Sequence, residues 1–136
     1  MAKSSRVVLF ALIKQKKILL EKRPIKEFDK NQYLIPGGAI NEFEELEDAL
    51  KREMMEELGI IPTDFELLTD EDILGLHNNI LKPFIVTAWQ GETPNFILDK
   101  KDPYPLEWVS IDKAINILPV KPTKKIVEIL KNYLQS

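Results

Sequence analysis

Residues 52–60 read REMMEELGI, and the reading of the whole chain turns on which way that stretch faces. On a helix turning by about 100° per residue, Leu46, Ala49, Leu50, Glu53 and Glu57 of the segment Glu44–Leu58 share one stripe, with Met54 and Leu58 along its flank. Glu56 lies at the other edge of the stripe, three residues from Glu53. The face that should pack on a core therefore begins apolar and turns acidic in its last two turns. Like charges three and four apart disfavour a helix by roughly 0.2–0.5 kcal/mol per pair, and the C-terminal end of the helix dipole adds to that. Burying such carboxylates costs far more unless a cation meets them. Arg52 reaches Glu56 at i+4, but one arginine cannot neutralise three carboxylates. Clustered hard oxygen donors suit Mg²⁺ or Mn²⁺. The bland alternative, a solvated acidic surface, fits a glutamate-rich helix in general but not glutamates that continue a leucine face.

Outward from this helix, the chain reads as one domain over residues 1–136. Gly59 suits a left-handed helix cap. Upstream, Arg6–Ile13 and Ile18–Lys22 read as paired strands around the hairpin KQKK (14–17), residues 23–33 as a polar loop, and LIPGG (34–38) as a short strand ending in a turn. Downstream, Phe65–Leu68 and Ile73–Leu76 are weaker strands, and Ile80–Gln90 is a long strand whose Pro83 suggests an edge or a bulge. Residues 91–105 read as loop, LEWVSI (106–111) as a strand and Thr123–Leu134 as a helix helped to start by Pro122. Helices interleaved with mixed strands predict a layered α/β sandwich.

Composition narrows the function classes. Hydrophobic residues make up 44% and charged residues 30%, as in soluble globular proteins. The net charge of −3 leaves no basic excess for polymeric nucleic acid, although a small phosphorylated ligand could be held by a cation and a few local bases. With no cysteine, disulfides, thiolate catalysis and cysteine-ligated zinc are excluded. The apolar run Val7–Ile13 is too short to span a membrane and lacks a cleavage signal, so the expected location is cytoplasmic.

Taken from Gly38, the sequence GAINEFEELEDALKREMMEELGI (38–60) fills every defined place of the pattern G-x5-E-x7-R-E-U-x-E-E-x-G-U, where U is apolar. Gly38, Glu44, Arg52, Glu53, Met54, Glu56, Glu57, Gly59 and Ile60 are the matching residues. The chain thereby resembles the Nudix hydrolases, and LIPGG before the box and EWVSID after it extend the resemblance along nearly the whole chain. The resemblance implies an α/β/α sandwich with a mixed β-sheet between helices, in which the box forms a loop, a helix and a second loop. It implies hydrolysis of a nucleoside diphosphate linked to another moiety, with Mg²⁺ (or Mn²⁺) as cofactor and a small-molecule nucleotide as partner.

Carried over by position, Glu53, Glu56 and Glu57 would be metal ligands, joined by the Gly37 carbonyl. Arg52 would orient the glutamates, and Glu44 would brace the loop or act through water. Gly37 and Gly38 would form a turn allowing close approach of backbone to metal and diphosphate. The box departs from the family where Phe43 stands in place of a frequent glycine. Chain length, WQGETP (89–94) and LEWVSI look like the small MutT-like nucleoside triphosphate pyrophosphohydrolases, in which a residue at the place of Arg23 contacts nucleotide. Relatives selecting oxidised guanine carry an asparagine near the last helix; LPVKPT (118–123) offers Lys121 instead, which counts against that selectivity. For the general base, Glu53 ranks above Asp102, and Asp102 above Asp99. His77, Trp89 and Trp108 are read as structural. ADP-ribose or nucleoside diphosphate sugar hydrolysis is the alternative within the class. A non-catalytic nucleotide-sensing module is the alternative outside it, and no box carboxylate has been lost in its favour.

Overall fold

Alternation along β1 (Arg6–Lys14) sets the layers. Val8, Phe10 and Leu12 point into one apolar cluster, and Leu9, Ala11 and Ile13 into another on the opposite face. A strand covered on both sides reads as an unbroken apolar run, which is what VVLFALI is. The computed structural model describes residues 5–24, 31–75, 78–98, 101, 103–118 and 121–135.

β1 turns into β2 (Lys17–Pro24) through Gln15 and Lys16, both with positive φ (53° and 62°), the backbone of a two-residue type I′ hairpin. The strands pair only beside this turn, at Ile13↔Ile18 and Lys14↔Lys17, and then diverge. β2 continues between β3 (Asn31–Leu34) and β8 (Leu106–Ser110). β1 pairs in parallel with β7 (Ile80–Gln90) and antiparallel with β4 (Gly37–Ala39). β5 (Ile61–Leu67) and the short β6 (Ile73–Leu74) lie on the far side of β7. On one face, α1 (Leu46–Leu58) contributes Ala49, Leu50, Met54 and Leu58 to the cluster of Val8, Phe10 and Leu12. On the other, α2 (Ile111–Ile117) and α3 (Lys121–Gln135) contribute Ala114, Ile126, Val127 and Leu130. Each large side chain so buried contributes about 1.5–3 kcal/mol. The result is the expected α/β/α sandwich around a mixed sheet. Among the described residues, no helix is long and apolar enough to cross a membrane.

Several local expectations change: the loop read over residues 23–33 yields its ends to β2 and β3, β5 begins at Ile61 rather than Phe65, and α3 begins at Lys121 rather than Thr123. LIPGG is not one strand running into a turn. Pro36 separates β3 from β4 while its carbonyl accepts the Phe10 N–H at 2.9 Å, and Gly37 and Gly38 resume as strand opposite Leu9 and Val8. Pro83 marks neither an edge nor a bulge. It sits in central β7, opposite the break between β5 and β6, with its carbonyl accepting the Leu68 N–H at 2.8 Å. Finally, Ile111 leaves the strand to begin α2, because the Ser110 side chain accepts the Lys113 N–H and caps a helix. Trp89 and Trp108 stack on each other, centroids 6.1 Å apart, against the α1-side cluster, in the structural role expected of them.

Candidate active site

The acidic residues of α1 lie on its buried side. Glu53 and Glu57 are each only 6% exposed and share that side with Ala49, Leu50, Met54 and Leu58. Glu56 points outward, its side chain 43% exposed. The helix ends at Gly59, whose φ of 67° lets its N–H return to the Met55 carbonyl. Leu98 N–H reaches the Glu57 carbonyl at 2.9 Å and fixes the following loop to this end.

One guanidinium organises the cluster. Arg52 Nε donates to Glu44 Oε2 (2.8 Å), Nη2 to Glu44 Oε1 (2.9 Å) and to the Ala39 carbonyl (2.9 Å), and Nη1 to Glu53 Oε1 (2.7 Å) and Glu56 Oε2 (3.2 Å). Arg52 thus ties α1 to the end of β4 and to the loop that carries Glu44. These carboxylates raise its own pKa. The Arg52 hydrogen bonds, and then the Asn41 N–H, lower Glu44 from its ordinary 4.5 to about 2. An unfolded glutamate takes its proton near 4.5, so the Glu44–Arg52 pair stabilises the fold fully above that pH and loses its contribution as pH falls toward 2. In Glu44→Gln this part of the acid titration should vanish: wild type loses Tm between about pH 4.5 and 2 more steeply than the variant. Parallel pH–Tm curves for the two proteins would remove Glu44 from the acid response.

Gly37 and Gly38 are consecutive in an extended strand and so face opposite ways. A Cβ on Gly38 would lie 2.0 Å from Glu53 Oε2, so the glycine leaves the space that the Glu53 carboxylate fills. A Cβ on Gly37 would meet the Val8 carbonyl at 2.2 Å and Leu9 Cδ2 at 2.7 Å. Neither glycine has a positive φ. Both are bare for close packing, not for a turn.

On the Gly37 side, away from α1, a cleft of about 310 Å³ opens between β1, β2, β4, β7 and the start of α3. Arg23 lines it, its Nε donating to Glu21 Oε1 at 2.5 Å and its guanidinium 4.9 Å from the Tyr104 ring centroid. Glu21 is 3% exposed while the Arg23 side chain is 40% exposed, so a fixed carboxylate aims an accessible cation. β4 is thus shared: the acidic helix packs on one side of it and the cleft on the other.

Sequence reasoning missed Glu21, Asn79 and Thr123, all of which line this cleft. Glu21 carried a signal, a carboxylate directly after the apolar run ILL; the other two are brought there only by tertiary packing. α3 places Thr123, 7% exposed, in the cleft; the side chain of Lys121, to which the sequence had pointed, lies outside what the structure describes. Asp99, Asp102 and His77 lie outside the described residues.

The donor chemistry suits a hard divalent cation. Glu53, Glu56 and Glu57 offer carboxylate oxygens, and one guanidinium shared by three carboxylates leaves its cluster negative. Among the described residues, no three acidic or histidine side chains are gathered closely enough to hold a metal as they stand. Glu53 is turned toward Arg52 and Gly38, and a cation would compete with Arg52 for it.

A family model described as NUDIX domain matches residues 3–130. An 8-oxo-dGTP diphosphatase of Buchnera aphidicola subsp. Schizaphis graminum (strain Sg) is 30% identical over 111 residues, covering 81% of this chain and 80% of the relative. The solution structure of the E. coli ORF135 protein superposes with a TM-score of 0.74 at 26% identity, over 97% of this chain and 91% of that one. A MutT NUDIX hydrolase from Burkholderia pseudomallei superposes with a TM-score of 0.72 at 25% identity, over 93% of this chain and 98% of that one.

Proposed function

The chain belongs to the NUDIX domain family, and from that premise we propose that it hydrolyses nucleoside triphosphates to the monophosphate and pyrophosphate with Mg²⁺ as its cation. It is a Nudix hydrolase. The observation that carries the reading is the intact acidic stripe: Glu53 and Glu57 are buried on the core side of α1, and Arg52 grips Glu53 while bracing the helix against β4 and Glu44.

Glu53, Glu56 and Glu57, with the Gly37 carbonyl, would hold the cation. When bound, a divalent cation neutralises diphosphate charge and lowers the pKa of a coordinated water. The remaining work falls to the chain itself. Arg52 fixes one Glu53 oxygen, Oε1, at 2.7 Å, which defines the direction in which Oε2 can act. Glu53 is the leading candidate to take a proton from water, and Asp102 the second. Arg23, held by Glu21 and Tyr104, offers its guanidinium to an anionic or carbonyl oxygen of the nucleotide in the cleft beside Gly37. The curated relative's name brings 8-oxo-dGTP into the candidate set; among the described side chains of α3, Thr123 lines the cleft.

The test is a panel of nucleoside triphosphates, 8-oxo-dGTP, ADP-ribose and nucleoside diphosphate sugars, with pyrophosphate and phosphate detected separately. Pyrophosphate release from a triphosphate, dependent on added Mg²⁺, is expected. Turnover confined to ADP-ribose or sugar conjugates would reassign the substrate. Tight nucleotide binding with no product would favour a sensing module.

A further inference from the structure

A cavity of about 560 Å³ opens between the β1–β2 hairpin, the start of α2 and the end of α3. It shares no lining residue with the cleft of Arg23. Ile13, on its floor, stands five residues along β1 from Val8, the register partner of Gly38, which is about 16 Å at ordinary strand rise. The frame is tied together around the opening. Ile111 N–H donates to the Lys16 carbonyl at 3.1 Å, joining α2 to the hairpin. Lys131 Nζ donates to Asp112 Oδ1 at 2.8 Å, joining α3 to α2.

Two chemistries meet in this recess. Ile13 and Ile111 make the floor, and Leu134, 40% exposed, adds an apolar wall. Lys16, Lys17 and Lys131 bring three ammonium groups to the same opening, against the one carboxylate of Asp112. Asp112 bonds Lys131 and also feels Lys16, and both hold its pKa below the usual value. Three cations less one anion leave the lining at +2, on a chain whose net charge is −3. Ser110 adds a donor: its Oγ accepts the Lys113 N–H at 3.3 Å, which leaves the O–H to be given elsewhere.

Like charges gathered at one recess repel each other, and an anion carrying an apolar body relieves that repulsion while covering Leu134. Charge decides which anion. A carboxylate brings one negative charge, whereas a phosphate monoester brings about 1.5 to 2 at neutral pH, close to what the lining lacks. Ammonium groups also meet tetrahedral phosphate oxygens as point charges, without the planar fork with which arginine meets a carboxylate. We propose that this cavity is a second small-molecule site, for a phosphate monoester whose apolar body lies on Ile13, Ile111 and Leu134 and whose phosphate is met by Lys16, Lys17 and Lys131. It goes beyond the hydrolase reading, since nothing in it calls on the acidic helix.

The experiment titrates phenyl phosphate into the isotope-labelled, metal-free protein and follows backbone amides by NMR, with Tm recorded for each variant. Inorganic phosphate, which lacks the apolar body, and benzoate, which lacks the second charge, are the comparison ligands. Phenyl phosphate should move the amides of residues 13–17, 110–112 and 131–135 and bind about tenfold more tightly than either comparison ligand. Lys16→Glu should weaken it by about tenfold, whereas Asp112→Asn, which removes the anion among the lysines, should tighten it. Leu134→Ser should weaken phenyl phosphate and leave inorganic phosphate unchanged. Damage to the fold would not give effects of opposite sign at Lys16 and Asp112. Amides unmoved at these positions by millimolar phenyl phosphate would overturn the site, as would equal affinity in wild type and folded Lys16→Glu. Benzoate binding as tightly as phenyl phosphate would overturn the phosphate assignment, and inorganic phosphate binding as tightly would overturn the role of the apolar wall.

Discussion

Glu53→Gln is expected to lower turnover by about two or more powers of ten while leaving the protein folded. The substitution keeps the shape of a side chain that is only 6% exposed, so no cavity opens beneath α1. The amide oxygen can still accept from Arg52 Nη1, and the exposed partner Glu56 and the doubly bonded Glu44 continue to hold the guanidinium. What disappears is the negative charge where the cluster is most buried. Without it the site loses both a hard anionic donor and its leading proton acceptor, whereas the fold is relieved of a costly buried charge. Stability should therefore stay level or rise as activity falls. Measuring kcat at saturating Mg²⁺ beside Tm separates the two effects. Near-wild-type kcat would remove Glu53 from the chemistry, and a collapsed Tm would make it a structural residue.

The legibility of this site in the sequence has a physical limit. α1 was readable because an amphipathic helix writes its orientation into a periodicity, and Glu53 and Glu57 share the period of Ala49 and Leu50. β1 and β7 were readable as apolar runs bounded by turn residues, and Gly59 as a cap, because each is a local preference of the chain. The errors fell where the deciding partner is distant. Gly37 and Gly38 look like a turn in isolation; only the arrival of Val8, Leu9 and Glu53 makes them bare strand positions. Pro83 argues for an edge until the β5–β6 break is known to lie opposite it. The cleft was the least legible part. Glu21, Asn79 and Thr123 come from three elements, with no spacing between them to recognise, and β1 and β4 bring them together.

The second large effect belongs to Gly38, and Gly37 provides its control. Gly38→Ala should cost about a hundredfold in kcat, since a displacement near 1 Å at a reacting group has that scale, and should change Tm little. The backbone at Gly38 is ordinary strand opposite Val8, which alanine adopts freely, so the new methyl is opposed by a side chain alone. That side chain is Glu53, with Oε2, Cδ and Oε1 at 2.0, 2.2 and 2.6 Å from the Cβ position. The end of a glutamate can swing away, but here it must leave the Arg52 hydrogen bond or the room beside β4 to do so. The carboxylate therefore moves, and activity moves with it. Gly37→Ala meets a different obstacle. Its Cβ runs 2.2 Å from the Val8 carbonyl, which belongs to the central strand and cannot rotate out of the way. That variant should lose Tm by several degrees, the response of a small domain to about 1 kcal/mol or more of backbone displacement. Measuring kcat and Tm on both variants checks the pair. Gly38→Ala with unimpaired turnover would mean that the position of the Glu53 carboxylate does not limit the reaction. Equal losses of Tm in the two variants would mean that Gly38, like Gly37, is needed for the β1–β4 pairing rather than for the acid it faces.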